Sequence, residues 1–400
     1  MTKEYVWPIE RGELEDYYDM MLACAKCKYC QNVFPCFTQN EQFASQCPSG
    51  DYWRFEAYYA SGRIEIARGI VEGSLNWSDK LRDILYSCTM CGACEENCRT
   101  TQRLTPLKII RTMRERYIRE GGELLSPHKG MVDSLLKEHN PYGKTHKSRF
   151  KWLSSDLISS VQDSDVIYFV DCTMCYQVPH LARVTTQVLA KLGVNFTVLG
   201  NEEWCCGVPL FRLGLVEEGK KLLDHCIKAI EKTGISKVIF SDPSCYETFK
   251  NASLYGFETP SFEMQHITEF LLPILKKNKV DLHEVKGKIT YHDSPFLSRH
   301  LRIYEEPREI LKMIPGVELI EMYRNRLNTF DCAGEITVKE AFPEFAVETA
   351  KKRIGEAKAM GANTIVCADP NDYRNFVDAK TDLNVMDIME ILLKSLNRGD

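Results

Sequence analysis

The sequence predicts an α+β multidomain chain: a helical amino-terminal domain followed by a duplicated α/β domain with parallel sheets. Three observations carry this reading. Nine of the 17 cysteines lie before residue 100, in a region of helical patterning. Beyond residue 160, short β-rich runs alternate with longer helical ones, the pattern of parallel strands covered by helices. That second region also repeats itself, with matching landmarks about one domain length apart.

Composition narrows the function classes. The 400 residues allow two or three domains and a sizeable core. With 51 basic against 56 acidic side chains and a net charge of −5, the chain is neither a disordered tail nor a strongly basic nucleic-acid binder. The first twenty positions scatter charge and hold no apolar run of signal-peptide type, and no uncharged apolar stretch reaches the ~18–20 residues of a membrane span. The expected location is the cytoplasm, where thiols stay reduced and so many cysteines point to metal ligation.

Along the chain, residues 1–121 are expected as the helical domain. FEAYYASGRIEIARGIVEG reads as helical, and PLKIIRTMRERYIREG opens on Pro106 and closes at Gly121. In the latter, Ile109, Ile110, Met113, Tyr117 and Ile118 form an apolar stripe, and Lys108, Arg111, Arg114 and Arg116 are expected on a solvated face. Residues 122–160, rich in Gly, Pro, His and Lys, are expected as a linker. The first repeat, 161–278, offers strands at 166–170, 195–200 and 237–241, and the second, 279–400, at 288–292, 317–322 and 363–368. DPSCYETF from Asp242 recurs as DPNDYRNF from Asp369, WCCG at 204–207 as DCAG at 331–334, and each repeat ends in a similar helix, 267–275 and 388–396.

The amino-terminal cysteines have iron–sulfur spacing. CTMCGACEENC places Cys88, Cys91, Cys94 and Cys98 in the bacterial ferredoxin arrangement, where three thiolates grip one [4Fe–4S] cluster and the fourth reaches the other. CAKCKYC supplies Cys24, Cys27 and Cys30, followed by a stretched return to Cys47-Pro48. The expected ligand sets are Cys24, Cys27, Cys30 and Cys98 for one cluster and Cys88, Cys91, Cys94 and Cys47 for the other, with Cys36 as the alternative to Cys47. The wide separation of the motifs predicts a helical two-cluster domain rather than a compact ferredoxin.

In the first repeat, Cys172 precedes the adjacent pair Cys205-Cys206 and then Asp242-x-x-Cys245. Neighbouring side chains diverge on a regular element, but a turn relaxed by Gly207 lets both thiols reach one metal centre. This pattern, behind two ferredoxin-type motifs, resembles the CCG domain of the heterodisulfide reductase family, in its fused D-type form. At finer grain, CAKCKYC…CPSG and CTMCGAC are similar to the D subunit of the class II benzoyl-CoA reductase complex. The resemblance implies a third [4Fe–4S] cluster, cubane or non-cubane, on Cys172, Cys205, Cys206 and Cys245. Asp242, at the place of the family's fifth cysteine, is either an extra ligand or a helix cap. Cys175 stands as an alternative ligand, and Cys226 reads as core.

The second repeat departs from the family pattern. Pro295, Asp331, Asp369 and Asp372 stand where cysteines are expected, only Cys332 matches, and Cys367 is out of register. With His292 nearby these residues allow a divalent ion, but a repeat that kept its fold and lost its cluster is the preferred reading. The resemblance then implies an electron-relay subunit of a multi-subunit redox complex. It would work beside a flavin and iron–sulfur subunit of heterodisulfide reductase A type, with anaerobic benzoyl-CoA reduction as the narrower assignment. The alternative is a disulfide or quinone reductase acting at the third cluster, and the third reading is a metal-free docking scaffold. No catalytic residue is assigned. No two glycines are spaced G-x-G, and neither a P-loop nor a CxxCH haem site is present.

Overall fold

The computed structural model describes residues 11–99, 101–154, 164–278 and 280–397. The amino-terminal domain is helical, as expected. The helix Ala60–Val71 packs against Tyr18–Leu22 and Pro106–Arg119, around Leu14, Tyr17, Met20, Ile64, Ile109, Ile110 and Met113. Gly62 is required at its first turn, because a Cβ there would lie 2.1 Å from the Glu56 carbonyl. One turn of helix brings Arg63 inside, where it donates to the Ile84 carbonyl at 2.9 Å, Ser87 Oγ at 3.0 Å and the Tyr58 carbonyl.

Two expectations need correction. Arg114 does not lie on a solvated face. It is buried and donates to the carbonyls of Leu85 at 2.9 Å, Cys88 at 2.7 Å and Arg212 at 2.8 Å. The stretch expected as linker contains the helix Ser126–Glu138, started by a proline in its first turn. Met131 and Leu135, four residues apart, enter the core of the repeats, and buried His128 places Nε2 2.8 Å from the Thr337 carbonyl.

The duplicated region forms two four-stranded sheets. The first contains β1 (Val166–Phe169), β2 (Phe196–Thr197), β3 (Lys237–Phe240) and β4 (Glu263–His266), in the order β2-β1-β3-β4. The second contains β5 (Gly287–Tyr291), β6 (Val317–Ile320), β7 (Thr364–Cys367) and β8 (Asn384–Asp387), in the equivalent order β6-β5-β7-β8. Every pairing is parallel. VIYF and TIVC are buried throughout, since helices cover both faces of a parallel sheet. The edge strands EMQH and NVMD lack the apolar run that marks the others, and the sequence gives no sign of them. The helix Pro179–Lys191 packs on Ile388–Leu396, and Glu306–Met313 packs on Ile267–Asn278. These paired contacts relate the repeats by a pseudo-twofold. Cysteine-bearing turns follow β1, β2 and β3 at their carboxyl ends, where parallel sheets of this kind present their sites.

Asp387 starts the last helix. It accepts from Met389 N at 2.8 Å, while Glu390 accepts from Asp387 N at 2.9 Å. Burial pushes its carboxyl up to about 7. A carboxyl raised on folding stabilises most below its unfolded value of about 3.9, and that contribution is lost as pH rises through the folded value. Asp387→Asn keeps the cap acceptor and removes the titration. The variant should therefore lose less Tm than the parent between about pH 5 and about pH 8 in thermal unfolding. Equal losses would show that Asp387 does not titrate there.

Candidate metal centres

Cys24, Cys27, Cys30 and Cys98 line one cavity with Ala60, Ser61 and Ile64. Cys47, Cys88, Cys91 and Cys94 line a second, with Pro48, Arg63 and Leu107. Ala60, the first residue of its helix, lines both, so the cavities are neighbours. The two CxxCxxC loops share one backbone device. Lys26 (φ 51°) and Lys28 (φ 63°) flank Cys27 in the left-handed region, as Met90 (φ 57°) and Gly92 (φ 77°) flank Cys91. Those reversals turn successive thiols inward, at roughly 1–2 kcal/mol for each non-glycine residue. Cys36 is exposed on the turn Pro35–Phe37 and lines neither cavity.

Burial pushes the thiols of Cys30 and Cys47 up to about 11 and that of Cys91 up to about 12, with Cys94 also raised. Such thiols are poor nucleophiles on their own, and become thiolates when a metal replaces the proton. Among the described residues no carboxylate lines either cavity. An all-sulfur donor set of four, with three members at two-residue spacing, fits a [4Fe–4S] cluster.

Cys172, Cys205, Cys206 and Cys245 converge on a third cavity, which Asp242, Arg212, Ile336 and Asn371 also line. Cys172 opens the helix Cys172–Tyr176 after β1, and Cys245 lies in Pro243–Lys250 after β3. The adjacent pair precedes Gly207, whose φ of 86° turns the chain into Val208–Leu213. A Cβ on Gly207 would meet the Gly219 carbonyl at 2.7 Å. Cys206 and Cys245 sulfurs are 3.1 Å apart. Burial raises the Cys206 thiol well above its usual value. This donor set also fits a four-thiolate iron–sulfur cluster.

Asp242 holds the helix Pro243–Lys250. One carboxylate oxygen accepts from the amides of Ser244 at 2.6 Å and Cys245 at 3.1 Å, and the other accepts from Asn371 Nδ2 at 2.8 Å. Both oxygens are thereby engaged, and the geometry favours the cap over the ligand. Cys175 points to the Val170 carbonyl at 3.7 Å and Cys226 to that of Trp204 at 3.5 Å. Neither lines the cavity.

Sequence reasoning missed the supports of this site. Fully buried Arg149, from the expected linker, donates to Cys172 Sγ at 3.3 Å, to the Val170 carbonyl at 2.6 Å and to Glu203 at 2.9 Å. Burial pushes Glu203 up to about 7, against the pull of Arg149. Trp204, just before the cysteine pair, is stacked between His139 and His225 with both ring centroids 3.5 Å away. Only the position of Trp204 beside the pair could have signalled this.

In the second repeat, candidate ligand atoms of His292, Cys332 and Asp372 lie within 4.8 Å of one another. They are tied into a hydrogen-bonded network. Cys332 Sγ donates to Asp372 Oδ1 at 3.1 Å, and His292 Nε2 lies 3.2 Å from Asp372 Oδ2. Arg353 Nε donates to His292 Nδ1 at 3.0 Å, which fixes the proton on Nε2, the nitrogen that would have to bind a metal. Asp369 accepts from Ser294 Oγ at 2.6 Å and from Asn371 N at 2.9 Å, and Asp331 accepts from Ala333 N at 2.9 Å. Cys367 lies in β7 with Sγ directed to the Met386 carbonyl at 3.9 Å.

Comparison with known proteins adds two family matches. Residues 166–250 and 289–372 match the cysteine-rich CCG domain, and residues 20–101 match the 4Fe-4S dicluster domain. The D-type subunit of the dihydromethanophenazine:CoB–CoM heterodisulfide reductase of Methanosarcina acetivorans is 31% identical, over 94% of this chain and 93% of that protein. The probable iron-sulfur-binding oxidoreductase FadF of Bacillus subtilis is 28% identical over 79% of this chain and 47% of its own length. The EtfAB:quinone oxidoreductase of Syntrophomonas wolfei is 27% identical over 66% of this chain and 38% of its own.

Arg149→Met should leave Glu203 and the Val170 carbonyl buried without their guanidinium donor, at a cost of about 3–5 kcal/mol in denaturant unfolding. Arg149→Lys should recover only part of this, because an ammonium cannot reproduce the planar fork. A Met variant as stable as the parent would show that Arg149 does not hold the site.

Proposed function

The chain belongs to the iron–sulfur protein family of D-type heterodisulfide reductase subunits, and we propose that within it this member relays electrons between the components of a redox complex. One observation carries the reading: four thiols converge at each of three cavities, while in the second repeat Cys332, Asp372, His292 and Arg353 are joined in a hydrogen-bonded network. The proposed ligand sets are Cys24, Cys27, Cys30 and Cys98, then Cys47, Cys88, Cys91 and Cys94, then Cys172, Cys205, Cys206 and Cys245. When bound, [4Fe–4S] clusters supply reversible one-electron oxidation and reduction.

The protein's own part is to position and insulate. Buried aliphatic side chains such as Ile64, Leu104 and Ile110 wall the first two cavities and exclude water, which lowers the reorganisation that a charge change demands. Arg149 and Arg212 set positive charge beside the third, stabilising thiolate ligands. Chemistry that grips a disulfide from two opposed metal centres needs both repeats to bind metal, and Pro295, Asp331, Asp369 and Asp372 deprive the second of its thiols. The finer assignment is a place beside a flavin subunit of heterodisulfide reductase A type in a benzoyl-CoA-reducing complex. It is supported by the resemblance of the CAKCKYC…CPSG and CTMCGAC segments. Purification from the native host tests it through the proteins that accompany the chain.

Iron and acid-labile sulfide analysis of the anaerobically purified protein should give about twelve irons, against about eight if only the amino-terminal sites are filled. Replacing Cys205 and Cys206 by alanine should remove about four, whereas Cys36→Ala should remove none. The reduced protein alone should not turn over a disulfide or a quinone. Turnover abolished by Cys205→Ala would replace the relay with a reductase acting at the third site.

A further inference from the structure

A cavity of about 270 Å³ opens where the amino-terminal domain meets both repeats. Met90, Gly92, Lys108 and Arg111 form one side. Phe211 and Arg212 with the flank of Pro243–Lys250 form the second, and the π-helical turn Phe296–His300 forms the third. Single π turns are frequent at functional sites. Seven lining side chains are arginine or lysine and three are glutamate, in a chain of net charge −5.

Two of these glutamates are already engaged. Glu96 pairs with Arg302 at 2.7 Å and Arg99 at 3.8 Å, and Glu247 holds His300 Nδ1 at 2.6 Å. Among the described residues, two guanidinium nitrogens of lining side chains, Arg299 Nη2 and Arg114 Nε, are buried without a hydrogen-bond partner, on residues only 4% and 2% exposed. Leaving such a donor unpaired is unfavourable, and an acceptor that reaches it removes that cost. Arg299 is held ready for this role. Its Nε donates to the Cys91 carbonyl and its Nη1 to that of Thr329, both at 2.7 Å, so the guanidinium plane is fixed before any ligand arrives. Among these cations the cavity is also lined by Leu107, Leu254, Phe296, which lies 4.1 Å from the Arg212 guanidinium, and the stacked pair Phe211 and Tyr255, whose centroids are 3.8 Å apart.

We propose that this cavity binds a small organic anion, its carboxylate or phosphate headgroup on the cationic side chains and its apolar body on the aromatic and aliphatic ones. The cavity shares Gly92 and Leu107 with the second cysteine site and Val208 and Arg212 with the third. The ligand therefore lies between two of the proposed metal centres, although its binding does not depend on their carrying electrons.

Calorimetric titration of the full-length protein, loaded with its metal, tests this with four probes: phenyl phosphate, phenylacetate, inorganic phosphate and phenol. The aryl anions should bind saturably at one site, about tenfold tighter than inorganic phosphate, and phenol should not bind. The tighter of the two aryl anions identifies the headgroup. Combining Lys108→Gln with Arg111→Gln should weaken binding about tenfold or more. Combining Lys220→Gln with Lys228→Gln, two cations on the outer side of Val216–Thr233, should change nothing. Unchanged iron content and Tm in both double variants keep the comparison valid. No saturable heat from either aryl anion, full affinity in the Lys108/Arg111 variant, or equal losses in both variants overturns the proposal.

Discussion

Buried guanidinium groups donating to main-chain carbonyls hold the cysteine loops, and the rest of the structure depends on them. A loop that turns successive thiols inward makes no helix or strand ladder, so its carbonyls need other donors. Arg114 takes the Cys88 carbonyl and Arg299 that of Cys91, while Arg63 ties the Tyr58 carbonyl beside Cys47. Arg149 reaches Cys172 itself. A planar fork with five donors satisfies several carbonyls at once, which an ammonium does not. The same groups join the domains. Arg114 extends from the amino-terminal helix to the Arg212 carbonyl of the first repeat, and Arg299 and Arg324 return from the second repeat to Cys91 and Ser45.

The two repeats show how far a fold separates from its site. Their strand orders match, and their edge helices pack in the same reciprocal way. What differs lies at the turns beyond the strands. In the first repeat these turns carry thiols, with Asp242 capping a helix and Asn371 crossing from the second repeat to support it. In the second, carboxylates occupy the corresponding turns and accept from Ser294, Ala333 and Cys332. Buried carboxylates persist only where such donors meet them.

Much of this was legible because its causes are local. Cysteines repeated at short spacing or on a turn mark a centre on their own, so Cys88-x-x-Cys91-x-x-Cys94 and Cys205-Cys206-Gly207 identify themselves. Apolar runs such as VIYF and TIVC announce strands buried on both faces, but EMQH and NVMD, at sheet edges, are half-solvated and leave no run to find. The helix Ser126–Glu138 was hidden because proline and glycine read equally as breakers and as first-turn residues. Arg114 was illegible for a different reason: a charged stripe on a helix looks the same whether it meets water or a row of carbonyls from another domain. The fate of Arg149 likewise depends on a partner 54 residues away.

The asymmetry of the repeats gives the molecule a polarity that its topology lacks. A pseudo-twofold interior has no front or back while both halves bear the same groups. Here the turns of one half bring Cys172, Cys205, Cys206 and Cys245 to one cavity, and those of the other close on the buried meeting of His292, Cys332 and Asp372. Two halves of one topology have become unlike ends, one lined by thiols and the other by carboxylates.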